Sequence, residues 1–378
     1  MNESVLSFKD KYFGDKNFYK MTLTIAIPII IQNLLTNLVS MADNIMVGQL
    51  GTNQMSGVAI INQLFFVFNL LVFGGMSGAG LFSAQYFGQK NHNGVRDVFR
   101  MKILIGITII AISLSVMIFL HEPLINMFLH EGSSSGNIQE TFNYAKNYLY
   151  IMVIGIAPFV ISNCYNTTLK ESGQTVVPMK AGVLAVVFDI VLNYIFIFGK
   201  LGFPAMGVVG AAIATVISRF VECGYLVIYT HIHSNDYPFI KHCYRTLKVP
   251  GSLVKKIIIT GAPLMLNEFL WAGGLTLQTQ ALSTRGLATV GGLNICNTIG
   301  NISNCIFVTM GTTIAIVVGQ LLGAGKLKEA KVTATRMAAF SLLISFGMII
   351  ILGLLGPVFP HFYNTTDEIR ELATKFIW

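Results

Sequence analysis

The sequence has few charged residues and none of the compact motifs that mark common soluble enzymes. Only 11% of its 378 residues are Asp, Glu, Lys or Arg, whereas 53% are hydrophobic. A soluble globular domain usually has about 25% charged residues. The five cysteines show no CxxC spacing, and the histidines near residue 240 lack the spacing of a zinc site. We therefore predict no disulfide framework, no metal centre and no enzyme, since no Ser/His/Asp set is legible either.

Long apolar segments take up most of the chain. A run of about 20 apolar residues crosses a bilayer as a helix. The first 20 residues show no signal-peptide pattern, so the first apolar segment is expected to remain as a span. These features predict an all-α polytopic membrane protein. Nine complete spans are expected, and a tenth begins near residue 366, with the complete ones at 21–47, 54–87, 97–121, 141–169, 176–199, 205–231, 253–283, 289–323 and 330–358.

The net charge of +8 could point to a nucleic-acid partner, but the placement of the basic residues argues against one. Most Lys and Arg residues lie before the first span and in alternate connections between the later ones. Basic residues are retained in the cytoplasmic loops of membrane proteins. The charge therefore predicts a multi-pass protein of the cell (inner) membrane with a cytoplasmic N-terminus, and no nucleic-acid partner.

The chain contains an internal repeat. A shift of 235 residues superimposes identical residue types at several positions, among them Pro28 on Pro263, Gly57 on Gly292, Gln85 on Gln320 and Gly88 on Gly323. The shift carries the first span onto the seventh, so each complete copy has six spans and the two copies are parallel. Twelve helices are expected, of which the second copy supplies only part. Residues 1–230 would form an N-terminal six-helix lobe, 231–252 a cytoplasmic link and 253–378 a truncated C-terminal lobe.

Four acidic residues lie well inside apolar spans: Asp43, Asp189, Glu222 and Glu268. An ionisable group there costs about 2.5 to 3.5 kcal/mol on insertion scales and needs a partner, a proton or a cation. These four residues are therefore the candidates for function.

Asp43, Asp189 and Asn193 are predicted to form one site. Asp43 in span one and Asn193 in span five lie at similar depth, roughly 7 Å from the outer ends of their helices. Asp189 lies one turn from Asn193 on the same helical face. Two carboxylates close together cannot both stay ionised cheaply, so the pair would take up a proton or share a cation. The alternative is that these groups form structural hydrogen bonds only.

The other intramembrane charges allow simpler interpretations. Arg219 and Glu222 are three residues apart in span six, which predicts a structural ion pair within one helix. Glu268 lies near mid-membrane without a cationic neighbour in sequence, and we treat it as a second candidate site against a structural hydrogen-bonding role. The repeat places Gln278 where the first copy has Asp43, so that acid is not duplicated.

Several longer stretches carry a family resemblance. They are IPIIIQNLLTNLVSMADNIMVGQLGTNQMSGVA, LFSAQYFGQKN, ESGQTVVPMK, LNYIFIFGKLGFPAMGVVGAAIATVISRFVE and VVGQLLGAGKLKEA. Together they resemble the multidrug and toxic compound extrusion (MATE) family, over nearly the whole chain. The resemblance implies twelve helices in two six-helix lobes that form a V. It also implies export of cationic or amphipathic organic compounds in exchange for sodium ions or protons.

The resemblance also assigns roles to particular residues. Asp43 matches the family's span-one aspartate, which is implicated in cation or proton binding. In span five, family members with this site carry Asn and then Asp four residues later, whereas this chain has Asp189 followed by Asn193. Glu268 lies about one turn before the span-seven glutamate of the sodium-coupled branch.

The combined expectation is a secondary active antiporter for multidrug efflux. A flippase for lipid-linked sugars from the same larger superfamily is the alternative, and it would need Lys or Arg in its cleft to meet phosphates. A receptor or scaffold without transport would leave the buried acids without a use. The expected partners are small organic substrates and membrane lipid. The protein is expected to be a monomer that needs no cofactor beyond its coupling ion.

Overall fold

The computed structural model describes residues 8–129, 137–283, 287–362 and 367–377, and within these ranges it contains helices and loops but no strand. The all-α prediction is thereby confirmed. The helices are α1 (Phe8–Tyr12), α2 (Lys16–Gly48), α3 (Thr52–Gly88), α4 (His92–Phe119), α5 (His121–Asn126), α6 (Ile138–Ile154), α7 (Ile156–Glu171), α8 (Val176–Phe198), α9 (Val208–Ile232), α10 (Gly251–Ser283), α11 (Leu287–Gly323), α12 (Leu327–Leu355) and α13 (Asp367–Ile377).

Most of the predicted spans are helices that can cross a membrane. Seven helices are long and apolar enough in the described chain, and α6 with α7 makes an eighth candidate. Helix α10, at the seventh predicted span, has 33 residues and is not among them. At 1.5 Å per residue it is about 50 Å long, which exceeds the thickness of a bilayer core. Its central polar residues, such as Asn267 and Glu268, lower its apolar character.

The fourth predicted span is broken into two helices. Helices α6 and α7 meet at Gly155 and are bent by 47° relative to each other. Pro158 lies three residues beyond the break. A proline has no backbone N–H and its ring clashes with the carbonyl four residues earlier, which here belongs to Ile154. The bend therefore follows from the position of Pro158, whereas Pro28 lies inside the continuous helix α2.

The structure shows matching helices at the predicted repeat spacing. Helices α2 and α10 both have 33 residues, and α3 and α11 both have 37. A side chain at Gly57 would meet the backbone nitrogen of Ala145 in α6 at 3.0 Å. One at Gly292 would meet the backbone nitrogen of Ala373 in α13 at 3.1 Å. Helix α13, at the predicted start of the tenth span, thus packs on α11 as α6 packs on α3.

The two copies meet through the helix ends that carry basic loops. Gly88, the last residue of α3, packs against the backbone of Gln320 in α11, and Gly323 packs in the same way against Gln85. This reciprocal contact is what two copies related by a two-fold axis would make. Both glycines permit a closeness of backbones that any side chain would prevent.

The described contacts between the copies extend from this end to about the middle of the helices. Asn33 Nδ2 donates to Thr309 Oγ1 at 3.1 Å, and Gly74 packs against Met265. Farther along α10, Leu270 and Leu277 are 68% and 67% exposed. The interface between the copies is therefore concentrated in the half that holds the basic loops.

Replacing Gly323 by Ala tests this contact. The added methyl group would overlap the backbone of Gln85, so α3 and α11 would have to move apart. Overpacking of this kind costs about 1 to 3 kcal/mol. We expect a clear fall in the thermal unfolding midpoint of the detergent-purified protein. Gly300→Ala is the matched control in α11, because no atom of the described residues lies within 4 Å of its added methyl group. Equal midpoints for the two variants would contradict the contact.

A buried lysine in α4 forms an ion pair with a glutamate in α7. The side chain of Lys102 in α4 is fully buried, and its Nζ lies 2.6 and 2.8 Å from the two carboxylate oxygens of Glu171 at the end of α7. The same Nζ donates to Thr167 Oγ1 and Thr168 Oγ1 at 3.0 and 3.2 Å. The backbone oxygen of Glu171 accepts a hydrogen bond from Gln320 Nε2 at 2.8 Å. The network therefore joins the first copy to the second.

Lys102→Met is expected to destabilise the protein strongly. It leaves the carboxylate of Glu171, whose side chain is 13% exposed, without its cation. Breaking a buried ion pair on one side costs about 3 to 5 kcal/mol. Thermal unfolding in detergent measures the effect. The control is Lys146→Met, because Lys146 is only partly buried and its partner Glu122 is exposed, so this pair contributes at most about 1 kcal/mol. A Lys102→Met protein as stable as the control would contradict this account.

The predicted link packs closely against the first copy. Cys243 is fully buried, and its backbone oxygen accepts a hydrogen bond from Arg100 Nε at 2.9 Å. Arg100 also donates to the backbone oxygen of His242 at 3.0 Å. Burial raises the pKa of the Cys243 thiol and raises the pKa of Tyr244 to about 12. All five cysteines are free thiols, as the lack of disulfide spacing predicted.

Candidate functional site

The structure brings Asp43, Asp189 and Asn193 together between α2 and α8. Asp189 and Asn193 are 1% and 0% exposed, and Asp43 is half-buried near the end of α2. Asn193 Nδ2 donates to Asp43 Oδ1 at 2.7 Å and to Asp189 Oδ2 at 3.0 Å. Since one amide nitrogen contacts both carboxyl groups, those two oxygens lie within about 6 Å, a range in which ionised groups interact strongly.

A third helix contributes a residue that sequence reasoning missed. Ser218 in α9 donates from Oγ to Asp189 Oδ1 at 3.0 Å. Its hydroxyl also lies 2.8 Å from the backbone oxygen of Thr215, one turn earlier. A single serine in an apolar span gives no signal of its own, since most such hydroxyls bond to their own helix. Only the packing of α9 against α8 identifies it as part of the site.

One polar atom in the site has no partner. Asn193 Oδ1 is buried and accepts no hydrogen bond from any residue that the structure describes. Buried polar atoms are rarely left in this state, and an exception calls for an explanation such as an ion. Two carboxylates and an amide oxygen form a set of hard oxygen ligands, which favours a small hard cation or a proton over a soft metal.

A polar cavity of about 340 Å³ adjoins Asp43. Helices α2, α3, α6 and α9 enclose it, and most of its polar lining is uncharged. Asp43 and Arg219 are the charged residues of the lining, and Ser40, Asn44, Asn62, Asn69, Tyr148 and Thr215 are its uncharged polar residues. Phe65 and Phe66 supply an aromatic wall. The cavity therefore lies directly beside the carboxylate pair and has room for part of an organic molecule.

The predicted ion pair between Arg219 and Glu222 does not form in the described part of the chain, because the Arg219 side chain lies against other neighbours. Within 4.0 Å, no ion pair joins them in the described structure. The Arg219 guanidinium instead lies 5.2 and 5.1 Å from the ring centres of Phe65 and Phe159. Spacing along one helix permitted the contact, but packing against α3 and α7 places the Arg219 side chain elsewhere.

Glu268 lies apart from any comparable cluster. It is half-buried in α10, and no hydrogen bond or ion pair joins it to another residue in the described ranges. Asn33, its counterpart in the first copy, bonds to Thr309 instead of to an acid. Gln278, the counterpart of Asp43, is exposed. In the described chain the carboxylate pair is therefore a feature of the first copy.

A second cavity, of about 300 Å³, lies between the two copies. Phe73, Met76 and Leu81 of α3 face Leu264 and Ile316 across it, and Lys170 and Glu171 supply charges at its edge. Its lining is mainly apolar. No group of three or more His, Cys, Asp or Glu side chains that could hold a metal occurs among the described residues.

Comparison with known proteins gives a consistent result along most of the chain. A family model described as MatE matches residues 28–195 and 263–377. A curated relative from Thermotoga maritima, named probable multidrug resistance protein NorM, is 28% identical over 354 residues, which is 94% of this chain and 74% of the relative. A relative of the same name from Halalkalibacterium halodurans is 27% identical over 95% of this chain and 76% of its own length.

Solved structures of similar fold include a multidrug resistance MATE family transporter of the MOP superfamily in an outward-facing conformation. Its TM-score is 0.84 at 21% identity, over 96% of this chain and 78% of the other. A MATE structure in a straight conformation has a TM-score of 0.82 at 21% identity, over 98% and 79% of the two chains. At 21% identity, these similarities concern the fold alone.

Proposed function

Because the chain belongs to the MatE family of membrane transporters, we propose that it is a secondary active antiporter for multidrug efflux. It would export cationic or amphipathic organic compounds in exchange for sodium ions or protons. The names of its curated relatives as multidrug resistance proteins support the substrate class. The protein would act as a monomer in the cell membrane, in contact with lipid, and without a cofactor beyond the coupling ion.

The observation that carries this proposal is the single amide of Asn193 between two carboxylates. Its nitrogen donates to both Asp43 and Asp189, and its oxygen is buried without a partner among the described residues. Two carboxylates in such a place are stable only with a proton or a cation between them. Binding and loss of that ion would change how tightly α2 and α8 are held together at Asp43 and Asn193, whose side chains are hydrogen-bonded. Ser218 would hold the Asp189 carboxylate in position during this change.

Coupling requires that ion and substrate prefer different arrangements of the protein. A ligand shifts such an equilibrium only by its difference in affinity for the two states. The cavity beside Asp43 provides the link, because an organic cation in it and the ion on the carboxylate pair would compete for the same negative charge. Loading the ion from outside would therefore release the substrate, and losing the ion inside would restore the binding site.

The contact between Gly88 and Gln320 fits one end of this cycle. With a cytoplasmic N-terminus, the half in which the two copies contact each other would face the cytoplasm. The space between the copies would then open to the outside. Residues 1–230 and 253–378 would then move as two lobes about the link at 231–252. Glu268 stays a second candidate site, with a role that depends on residues of the second lobe.

Transport by purified protein in liposomes tests the proposal. Uptake of a fluorescent cationic dye from the medium into inverted vesicles, with imposed sodium or pH gradients in separate samples, reports on the driving force. We expect the dye to move against its concentration gradient with one of the two ion gradients and to stop when a matching ionophore collapses it. Dye movement that ignores both gradients would contradict antiport.

A further inference from the structure

Arg219 is a half-buried cation that has no carboxylate partner within the described part of the chain. In the described structure no acidic oxygen lies within 4.0 Å of its guanidinium. Its hydrogen bond to the backbone oxygen of Gly155 is long, at 3.5 Å. Gly155 lies at the bend between α6 and α7, which brings this oxygen to α9. A guanidinium has five N–H donors, so most of its capacity stays unused here.

Two aromatic rings hold the guanidinium in place. The Phe65 ring in α3 and the Phe159 ring in α7 lie 5.2 and 5.1 Å from its central carbon. Cation–π contacts offset part of the cost of burying the charge, but they leave its N–H groups free at the edge of the planar group. The two ring contacts therefore hold the guanidinium between α3 and α7 without using its N–H donors, which stay available to a ligand.

Arg219 lines the same cavity as Asp43. The cavity of about 340 Å³ is lined by Asp43 on α2 and Arg219 on α9, with uncharged Asn44, Asn62 and Asn69 in the remaining polar lining. Its volume falls within the range of cavities that hold small organic ligands. One site thus offers a carboxylate for a cationic group and a fork of donors for an oxyanion.

We propose that Arg219 binds a carboxylate of the transported compound, so that this cavity selects amphipathic zwitterions over simple cations. The cationic part of the substrate would lie towards Asp43 and its carboxylate would accept two hydrogen bonds from the guanidinium. Bidentate pairing of this kind is the strongest that arginine makes with a carboxylate. The inference rests on the proposed function and adds the substrate class that the cavity prefers.

The competing explanation is structural. Arg219 also interacts electrostatically with Asp189 and Glu222 at longer range, and it could serve only to balance their charge. In that case its loss would impair every substrate alike, through the carboxylate pair. A role in substrate binding instead predicts an effect that depends on whether the substrate has a carboxylate.

The test uses a rhodamine dye as its zwitterionic free acid and as its cationic methyl ester. Gradient-driven uptake of each is measured in inverted proteoliposomes for the wild type, Arg219→Gln, Arg219→Lys and Arg336→Gln. Arg336 is, like Arg219, half-buried, but it donates to the backbone oxygen of Asp10 away from the cavity, and it is the matched control. We expect Arg219→Gln to lower kcat/KM for the free acid at least tenfold and for the ester less than twofold. Arg219→Lys should recover part of the loss.

Each result decides between the explanations. Equal losses for acid and ester, or no loss for either, would overturn the inference while leaving antiport intact. Failure of the wild type to move both dyes would overturn the proposed function as well. If Arg219→Gln does not fold, competition in the wild type decides. The concentration of free acid that halves ester uptake must then be lower than the concentration of unlabelled ester that does so. The reverse order overturns the inference.

Discussion

Replacing Asp43 by Asn is expected to abolish gradient-driven efflux, with at least a hundredfold fall in the coupled rate. The substitution keeps the shape of the side chain but removes the charge that the ion and the substrate would share. It also places a second amide beside Asn193. In the wild type the Asn193 nitrogen donates to Asp43 Oδ1 at 2.7 Å. The measurement is dye efflux from proteoliposomes under the sodium or pH gradient that drives the wild type.

The control for Asp43→Asn is the same substitution at an exposed aspartate. Asp236 lies in the loop after α9, is exposed and has no place in the site. Asp236→Asn should transport as the wild type does, and thermal unfolding should show that both variants are folded. Efflux by Asp43→Asn at the wild-type rate under the same gradient would refute the role assigned to this carboxylate.

Replacing Asp189 by Asn is expected to cause a comparable loss. Asp189 is 1% exposed and accepts hydrogen bonds from Asn193 and Ser218, so its carboxylate completes the ion site and fixes the amide. The double variant with Asp43→Asn should transport no worse than either single variant, because residues that act as one unit give non-additive effects. The measurement is the coupled rate of all three variants in one gradient.

Ser218→Ala separates positioning from ion binding at this site. It keeps both carboxylates and removes one donor to Asp189, which normally contributes about 1 kcal/mol or somewhat more when the acceptor is charged. We expect a severalfold rise in the ion concentration for half-maximal efflux, with the maximal rate largely kept. A loss of transport by Ser218→Ala as complete as that by Asp189→Asn would contradict these assignments. Wild-type ion dependence in both Ser218→Ala and Asp189→Asn would contradict them as well.

Much of the site follows from the sequence because depth in a membrane can be read from position along a helix. Asp43 and Asn193 lie at similar distances from the ends of their spans, and the four-residue spacing places Asp189 on the face of Asn193. These three residues do meet in the structure. The repeat shift of 235 residues also carries α2 onto α10, and both helices have 33 residues.

The remaining features depend on how helices rotate against one another, which neither depth nor periodicity specifies. Ser218 reaches Asp189 only because α9 packs on α8. Lys102 belongs by sequence with the basic residues at the cytoplasmic ends of the spans, yet it is buried on Glu171. Arg219 turns away from Glu222 towards two phenylalanines on other helices. In each case the deciding contact lies on another helix.

The site is also asymmetric between the copies. Asp43 has Gln278 as its counterpart, and that glutamine is exposed. Glu268 has no described partner comparable to Asn193. In the described chain, the proposed ion coupling would therefore take place in the first copy. Exchange of the ion would then move α2 relative to α8 and α9.

Substrate-induced ion release from the purified protein tests the central claim most directly. Protein in weakly buffered detergent solution is preloaded with radioactive sodium, and the cationic dye ester is then added while bound sodium and free protons are measured. For the wild type we predict release of about one sodium ion or one proton per bound dye, and for Asp43→Asn and Asp189→Asn neither. Unchanged ion release from both variants would contradict the assignment of the coupling site to Asp43, Asp189 and Asn193.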